Sequence, residues 1–383
     1  MRLSSRALAV AESETLRLAG ETARLRRSGV AVVSLLEGEP DLPPPRVVVA
    51  ATVAALKAGH IRYSSSAGLP RLRAAVAKKL RTDNNIPAQE ADVLITNGAK
   101  QAIYEALQTL LDPGDEAIVL KPYWVTLPEA VCLAGAKPVF VETPGWALDP
   151  DLVAKSVTRR TKVVIINSPN NPTGAVYSKE SLQDLIKLAA KRDLSILSDE
   201  AYESLVYDGA RHVSPASLGK GAAKRVVTVQ TFSKTWSMTG FRLGYMAAHE
   251  DFIRAAAKVH GHITGNAATF AQYGALEALA LPAKDREERR AALERRRDLA
   301  CALAAPLFDC VAPQGALYLF ADARRTLGER FKGSAALAAD LLKRARVAVA
   351  PGVAFGQEGF LRISFAQSEA DIRDGFARMA AAL

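Results

Sequence analysis

Two apolar periods alternate along this chain of 383 residues. Consecutive runs rich in β-branched and aliphatic residues at 93–96, 116–120, 163–166, 194–198, 226–229 and 243–248 predict buried strands. Ahead of the first and between later ones, apolar residues three and four apart predict helices at 72–80, from 97 to about 111, and at 182–191. Strand and helix alternating through residues 46–248 argue for an α/β architecture, a mostly parallel sheet with helices on both faces. Ahead of this region, the segment up to Val33 reads as a helix with Leu16, Ala19, Ala23 and Leu25 on its apolar side and arginines opposite, giving way to a short strand at 30–35. The turn Gly38-Glu39-Pro40-Asp41 and the run Pro43-Pro44-Pro45 mark a boundary. After 248, helices are predicted at 251–259 and through 281, with a loop at 261–266 between them, and a long charged helix starts near Asp285. It leads into an α+β unit: strand 316–321, helix 335–344, strands 347–350 and 360–365, and a closing helix 369–383. Such a length exceeds one typical domain. The expected division is a large domain, 46–284, and a small one made of 1–45, with an N-terminal arm, and 285–383.

Hydrophobic residues make up 49% of the chain, ordinary for a folded enzyme and too many for a disordered one. No apolar run approaches the roughly 20 residues that span a bilayer. The first six residues lack the apolar block of a secretion signal, so a cytoplasmic location and no membrane partner are expected. Cys132, Cys301 and Cys310 show no metal-ligand spacing and cannot all pair, which suits a reducing compartment. The five histidines are scattered, and no metal centre is expected. A net charge of +10 raises nucleic acid as a partner. Yet the densest basic run, 286–297, is interleaved with Glu287, Glu288 and Glu294 at helical spacing, as on a solvated, salt-bridged face, and no platform of stacking aromatics accompanies it. The expected partners are therefore anionic small molecules and not nucleic acid.

The chemistry concentrates on Thr231-Phe232-Ser233-Lys234 and the residues up to Tyr245. Lys234 falls on a loop between two predicted strands, where it can be held out of bulk water. A protonated lysine is a poor nucleophile, but desolvation and a neighbouring cation lower its proton affinity, and the free amine can form an imine with a carbonyl. Arg242 is such a cation, and its planar fork also suits a phosphate dianion. Thr231 and Ser233 add hydroxyl donors for the same anion, while Gly240 and Gly244 allow close backbone approach. The sequence Asn97-Gly98-Ala99-Lys100 opens the helix after the strand at 93–96, and a helix start preceded by glycine presents free N–H groups to an anion. Trp124 follows the strand at 116–120, at the carboxyl end where open sheets place ligands, although a lone Trp is commonly core. Asp199 ends the strand at 194–198, a position that can also mean no more than a helix cap. Asn171-Pro172 is a candidate cis peptide in a loop of two Asn-containing X-Pro turns. Arg362 sits among apolar residues in the strand at 360–365, where a buried arginine calls for an anion such as a carboxylate.

Four motifs then join these positions: the lysine segment 231–245, S-P-N-N-P-T-G at 168–174, S-D-E-A-Y at 198–202 and L-R-I-S at 361–364. In order and spacing, over nearly the whole chain, they resemble the pyridoxal-phosphate (PLP) aminotransferases of fold type I, in the class I group that includes the aspartate aminotransferases. The resemblance implies a large domain with a mostly parallel seven-stranded sheet and a smaller α+β domain. It also implies PLP carried on Lys234 as a Schiff base, with Arg242, Thr231, Ser233 and the loop Gly98, Ala99, Lys100 around the phosphate. Trp124 would stack on the pyridine ring, Asp199 would keep the ring nitrogen protonated, and Tyr202 would donate to the phenolic oxygen. Asn171 would bond both that oxygen and the substrate carboxylate, Gly38 would touch the substrate, and Arg362 would bind its α-carboxylate. Tyr63, just before Ala67-Gly68-Leu69-Pro70, would reach the phosphate of the other subunit, implying a homodimer with shared active sites.

Many members carry a hydroxyl residue in place of Ala99 or Lys100. In one bacterial subgroup a lysine at the latter position binds the side-chain carboxylate of the substrate, together with Ser and Thr near the N-terminus, here Ser13 and Thr15. Glu12 and Glu14 place negative charge beside that pair. The implied activity is amino transfer between an L-amino acid, aspartate or glutamate first, and a 2-oxo acid. The same fold also serves transaminases of aromatic or neutral amino acids and PLP enzymes of elimination, retro-aldol or oxidative chemistry, and no motif here separates them. A non-catalytic PLP-binding regulator ranks last, since no segment is spare for a DNA-binding module.

Overall fold

The computed structural model describes residues 2–219 and 221–383. Its strands are β1 (Val33–Ser34), β2 (Val93–Thr96), β3 (Glu116–Lys121), β4 (Lys137–Glu142), β5 (Thr161–Asn167), β6 (Ser195–Asp199), β7 (Val226–Thr231), β8 (Gly244–Ala247), β9 (Tyr318–Asp322), β10 (Val347–Ala348), β11 (Ala350–Pro351) and β12 (Phe360–Ser364). Seven of them form one sheet in the order β2-β8-β7-β6-β5-β3-β4. β8 runs antiparallel to both neighbours, and every other pair is parallel. The strands in the middle of this sheet are apolar without alternation because both faces are covered. On β3, Ile118 and Leu120 join one layer with Leu72, Val76 and Leu182, while Ala117 and Val119 join the opposite layer with Ile103, Leu127 and Ile253.

Register then sets the site. Asn167 lies opposite Asp199, Asp199 opposite Val229, and Thr231 opposite Gly244, so the carboxyl ends of β5, β6 and β7 finish at one edge. The antiparallel sheet β11-β12-β9 is built from the C-terminal segment, with Arg362 opposite Phe320. Its residues Leu319, Leu361 and Ile363 pack with Leu293 and Ala300 of the helix Ala283–Ala304 and with Ile372 and Phe376 of the helix Glu369–Ala382. On its other side, the long helix pairs Arg290 with Glu287 at 2.6 Å and with Glu294 at 2.7 Å, a salt-laced face. β1 pairs in parallel with β10 and brings the N-terminal segment onto this second group.

Several local expectations are corrected. The N-terminal helix is two helices, Ser5–Ala9 and Glu14–Arg27, and the strand after them is only β1. Its buried residues are Leu18 and Thr22, whereas Leu16 and Ala23 are exposed. The cause is tertiary: Leu18 packs with Val32, Leu36, Phe320 and Leu342. The helix Glu250–Ile263 takes up half of the loop expected at 261–266, and the strand expected at 347–350 is split into β10 and β11. β4 went unforeseen; it lies at the sheet edge, carries Pro138 and is partly exposed, so its apolar run is only Val139-Phe140-Val141. Asn171-Pro172 is cis, as are Lys121-Pro122 and Ser168-Pro169. No helix among the described residues is long and apolar enough to cross a membrane.

Candidate active site

The edge where β5, β6 and β7 end opens on a cavity of about 350 Å³. Every candidate residue except Gly98 and Tyr63 lines it, including Ser13 and Thr15 from one end of the chain and Arg362 from the other. Lys234 is held there by its loop. Phe232 and Trp236 are buried on either side of it, and the Thr231 hydroxyl donates to Ser233 Oγ at 2.9 Å. Its Nζ donates to the Gly38 carbonyl at 3.0 Å, spanning from the sheet to the N-terminal turn. Gly38 has no room for a side chain, because a Cβ would collide with the Tyr318 hydroxyl.

Asp199 is 3% exposed, and the Ala201 N–H donates to it at 3.2 Å. Burial pushes its carboxyl up to about 7; the Ala201 N–H pulls it down, the Glu200 charge pushes it further up, and the Lys234 charge pulls it back. A carboxylate so placed is ionised most readily against a cation, which is what a protonated ring nitrogen offers. Asn167, which sequence inspection passed over, braces this strand end: its Nδ2 donates to the Asp199 carbonyl at 3.0 Å, and its Oδ1 accepts from the Asn171 N–H at 2.8 Å. Its signal was present, as the polar residue that closes an apolar run.

Gly98 precedes the helix Ala99–Leu110 with φ +81°, and a Cβ there would stand 2.7 Å from Nη2 of Arg242. The guanidinium thus lies against the helix start, with Nη1 donating to the Thr239 carbonyl at 3.0 Å. Lys100 has a lowered proton affinity, owing first to burial and then to the charges of Arg242 and Lys234. Its Nζ stands 5.3 Å from the centre of the Trp124 ring. Three cations converging beside a helix N-terminus make an anion site.

Arg362 is 5% exposed and donates from Nη1 to Asn171 Oδ1 at 3.1 Å and from Nη2 to the Leu36 carbonyl at 2.7 Å. Its Nε is buried without a partner. The guanidinium lies 4.3 Å from the Tyr318 ring and 4.7 Å from the Phe355 ring. A buried cation with neutral partners and a spare donor suits a carboxylate ligand. Tyr318, also unforeseen, shares a 2.9 Å hydrogen bond with the Tyr202 hydroxyl. Burial, and then Tyr318, raise the Tyr202 proton affinity, so that hydroxyl stays a donor.

Ser13 caps the helix Glu14–Arg27 and shares a 2.9 Å hydrogen bond with Thr15. The charge of Glu14 is answered by Arg17 at 2.9 Å. Tyr63 is 95% exposed and lies outside the cavity. Ile61 is exposed as well, and so are Val49, Val53 and Leu56, which share one side of the helix Arg46–Lys57.

The side-chain-free cradle of Gly98 against Arg242 provides for the phosphate of PLP, and the spare Nε of Arg362 provides for the carboxylate of an amino-acid substrate. With a buried acid and a lysine on the same cavity, the donor set matches the group.

The model of the family "Aminotransferase class I and II" matches residues 30–378. A probable aspartate/prephenate aminotransferase of Aquifex aeolicus is 42% identical over 388 residues, covering 100% of this chain and 98% of its own. The aspartate aminotransferase of Bacillus subtilis is 38% identical, covering 96% and 95% respectively. Among solved structures, the aspartate aminotransferase of Thermus thermophilus with maleate superimposes with a TM-score of 0.95 at 41% identity, covering 100% of both chains. The chain therefore belongs to the class I and II aminotransferases, and it is a PLP-dependent enzyme.

Proposed function

We propose that this enzyme transfers the amino group of aspartate or glutamate to a 2-oxo acid, with PLP held on Lys234. What carries the proposal is one cavity that unites the buried acid Asp199 with Lys234, Lys100, Arg242 and Arg362. Relatives named as aspartate aminotransferases, one of them solved with maleate, a dicarboxylate, support the choice of substrate.

When bound, PLP supplies an electron sink for the pair left at Cα of the substrate. The protein does the rest. Lys234 would be the covalent attachment point and, once free, the base for the Cα proton. Asp199 would hold the ring nitrogen as a cation. Asn171 gives its Oδ1 to Arg362, which leaves its Nδ2 available to donate, so Asn171 and the Tyr202 hydroxyl would hold the phenolic oxygen. Arg242, Thr231, Ser233 and the amide of Ala99 would hold the phosphate, and Trp124 would stack on the ring. Arg362 takes the α-carboxylate in its fork, Lys100 with Ser13 and Thr15 takes the distal carboxylate, and the turn at Gly38 closes over both.

The exposed Tyr63 fits a second copy of the chain, whose site it would complete, and the apolar side of the helix Arg46–Lys57 gives that copy a surface. Residues 46–284 act as the large, cofactor-binding domain, and 1–45 with 285–383 as the small one; two buried clusters lie wholly within 46–284, and the other two are drawn from the remaining segments apart from Tyr202, Leu205 and Tyr207, which supports this. Three free thiols suit a reducing, cytoplasmic compartment. Stopped-flow spectra with a panel of amino acids test the reaction type. Aspartate should convert the lysine-bound cofactor to its amine form faster than alanine does, without oxygen uptake or ammonia release; either of those would assign oxidative or elimination chemistry instead.

A further inference from the structure

One residue beyond Asp199 stands a second carboxylate that the mechanism leaves unused. Glu200 is fully buried and does not line the cavity. Ser198 Oγ donates to its Oε1 at 2.9 Å; Ser214 Oγ at 2.6 Å, Gln230 Nε2 at 3.0 Å and His212 Nε2 at 3.1 Å all meet its Oε2. A second ring of contacts surrounds these. Gln230 also donates to Glu203 at 2.9 Å. Lys79 donates to Gln230 Oε1 at 2.6 Å, to Asn84 Oδ1 at 2.9 Å and to Glu203. Asn84 donates to Glu203 at 2.6 Å and to Ser214 at 3.1 Å, and the Tyr245 hydroxyl donates to Gln230.

The network ties the helix Pro70–Asp83, the end of β6, the segment 212–214, β7 and β8 into one block. Its members Glu200 and Gln230 are chain neighbours of Asp199 and Thr231. Side-chain polar atoms of Glu200, Glu203 and His212 lie within 4.8 Å of one another, and the Lys79 ammonium pairs with Glu203. His212, without a role in the sequence, is part of this block, and its Nδ1 is buried without a partner. The titratable groups here are Lys79, Glu203, His212 and Tyr245, with Asp199 and Lys234 on the cavity side.

We propose that Glu200 is a positioning residue for Asp199: locked by four donors, it fixes the strand end and adds a second buried negative charge, so that Asp199 holds a cationic partner more firmly than it could alone. Burial opposes ionisation of Glu200, but His212, Ser214 and Gln230 together hold its carboxyl below the ordinary value. Its charge in turn pushes the Asp199 carboxyl up, second to burial. The inference rests on Asp199 facing the PLP ring nitrogen.

The test is the ¹⁵N signal of the ring nitrogen in holoenzyme loaded with ¹⁵N-labelled PLP, followed against pH in four proteins: wild type, Glu200→Gln, Glu203→Gln and Asp199→Asn. Glu200→Gln should lower the proton affinity of the nitrogen on the order of tenfold, as expected for loss of one nearby buried charge. Glu203→Gln, which disturbs the same network without touching Asp199, should leave it near wild type. If Glu200→Gln is not recovered folded, Ser214→Ala should shift the signal in the same direction by less. No shift in Glu200→Gln and Ser214→Ala, or an equal shift in Glu203→Gln, overturns the proposal. An unchanged signal in Asp199→Asn would instead overturn the placement of Asp199 against the ring.

Discussion

A carboxyl raised by burial makes Asp199 a liability until a cation arrives. Its proton affinity is 3.8 in ordinary surroundings and about 7 in the fold. The folded state therefore binds the proton more tightly, and this group's contribution to stability falls as pH rises from about 4 through 7, then levels off. Cofactor-free Asp199→Asn should melt higher than wild type at pH 8, by a margin that shrinks toward pH 5 and reverses once PLP is bound. Thermal melts at the two pH values check this, and a margin independent of pH would contradict it. At Arg362, lysine keeps the charge but loses the fork, so Arg362→Lys should lower kcat/KM by roughly 10- to 100-fold for aspartate and alanine alike. Lys100→Ala should raise KM for aspartate more than for alanine; equal effects in steady-state kinetics would remove its distal-carboxylate role. That Lys234, Asp199 and Arg362 meet in one cavity was legible in the sequence, because each stands in one of the strings that carry the family resemblance. Tyr318 was not, since its partner Tyr202 lies 116 residues away and nothing local marks the contact.

On the proposed reading, the start of the helix Ala99–Leu110 would hold the cofactor phosphate. Gly98→Ala adds a Cβ at positive φ and within 2.7 Å of the Arg242 guanidinium, so it must displace the arginine or the helix start. PLP affinity, read by quenching of tryptophan fluorescence, should fall about tenfold or more while the far-ultraviolet spectrum is kept, on the scale of a weakened charge-assisted hydrogen bond. Unchanged affinity would show that the cradle is not used. Elements buried on both faces, such as β5 and β6, could be read from their apolar runs alone. The helix Glu14–Arg27 could not be oriented that way: Leu18 is buried against Phe320 and Leu342, far along the chain, which local periodicity cannot see, while Leu16 faces the cavity.

At the scale of the whole molecule, the exposed Tyr63 predicts that activity belongs to a pair of chains. Mixing inactive Lys234→Ala subunits with Tyr63→Ala subunits should yield hybrids with one intact site and more activity than either parent. No gain on mixing would mean that each chain completes its own site. The chemistry itself comes down to which lysine carries the cofactor, because Lys100 and Lys234 share the cavity and burial lowers the proton affinity of Lys100. Borohydride reduction of the PLP-loaded enzyme followed by peptide mass mapping distinguishes them. The pyridoxyl group should appear on Lys234 alone; finding it on Lys100, or on neither, would contradict the mechanism.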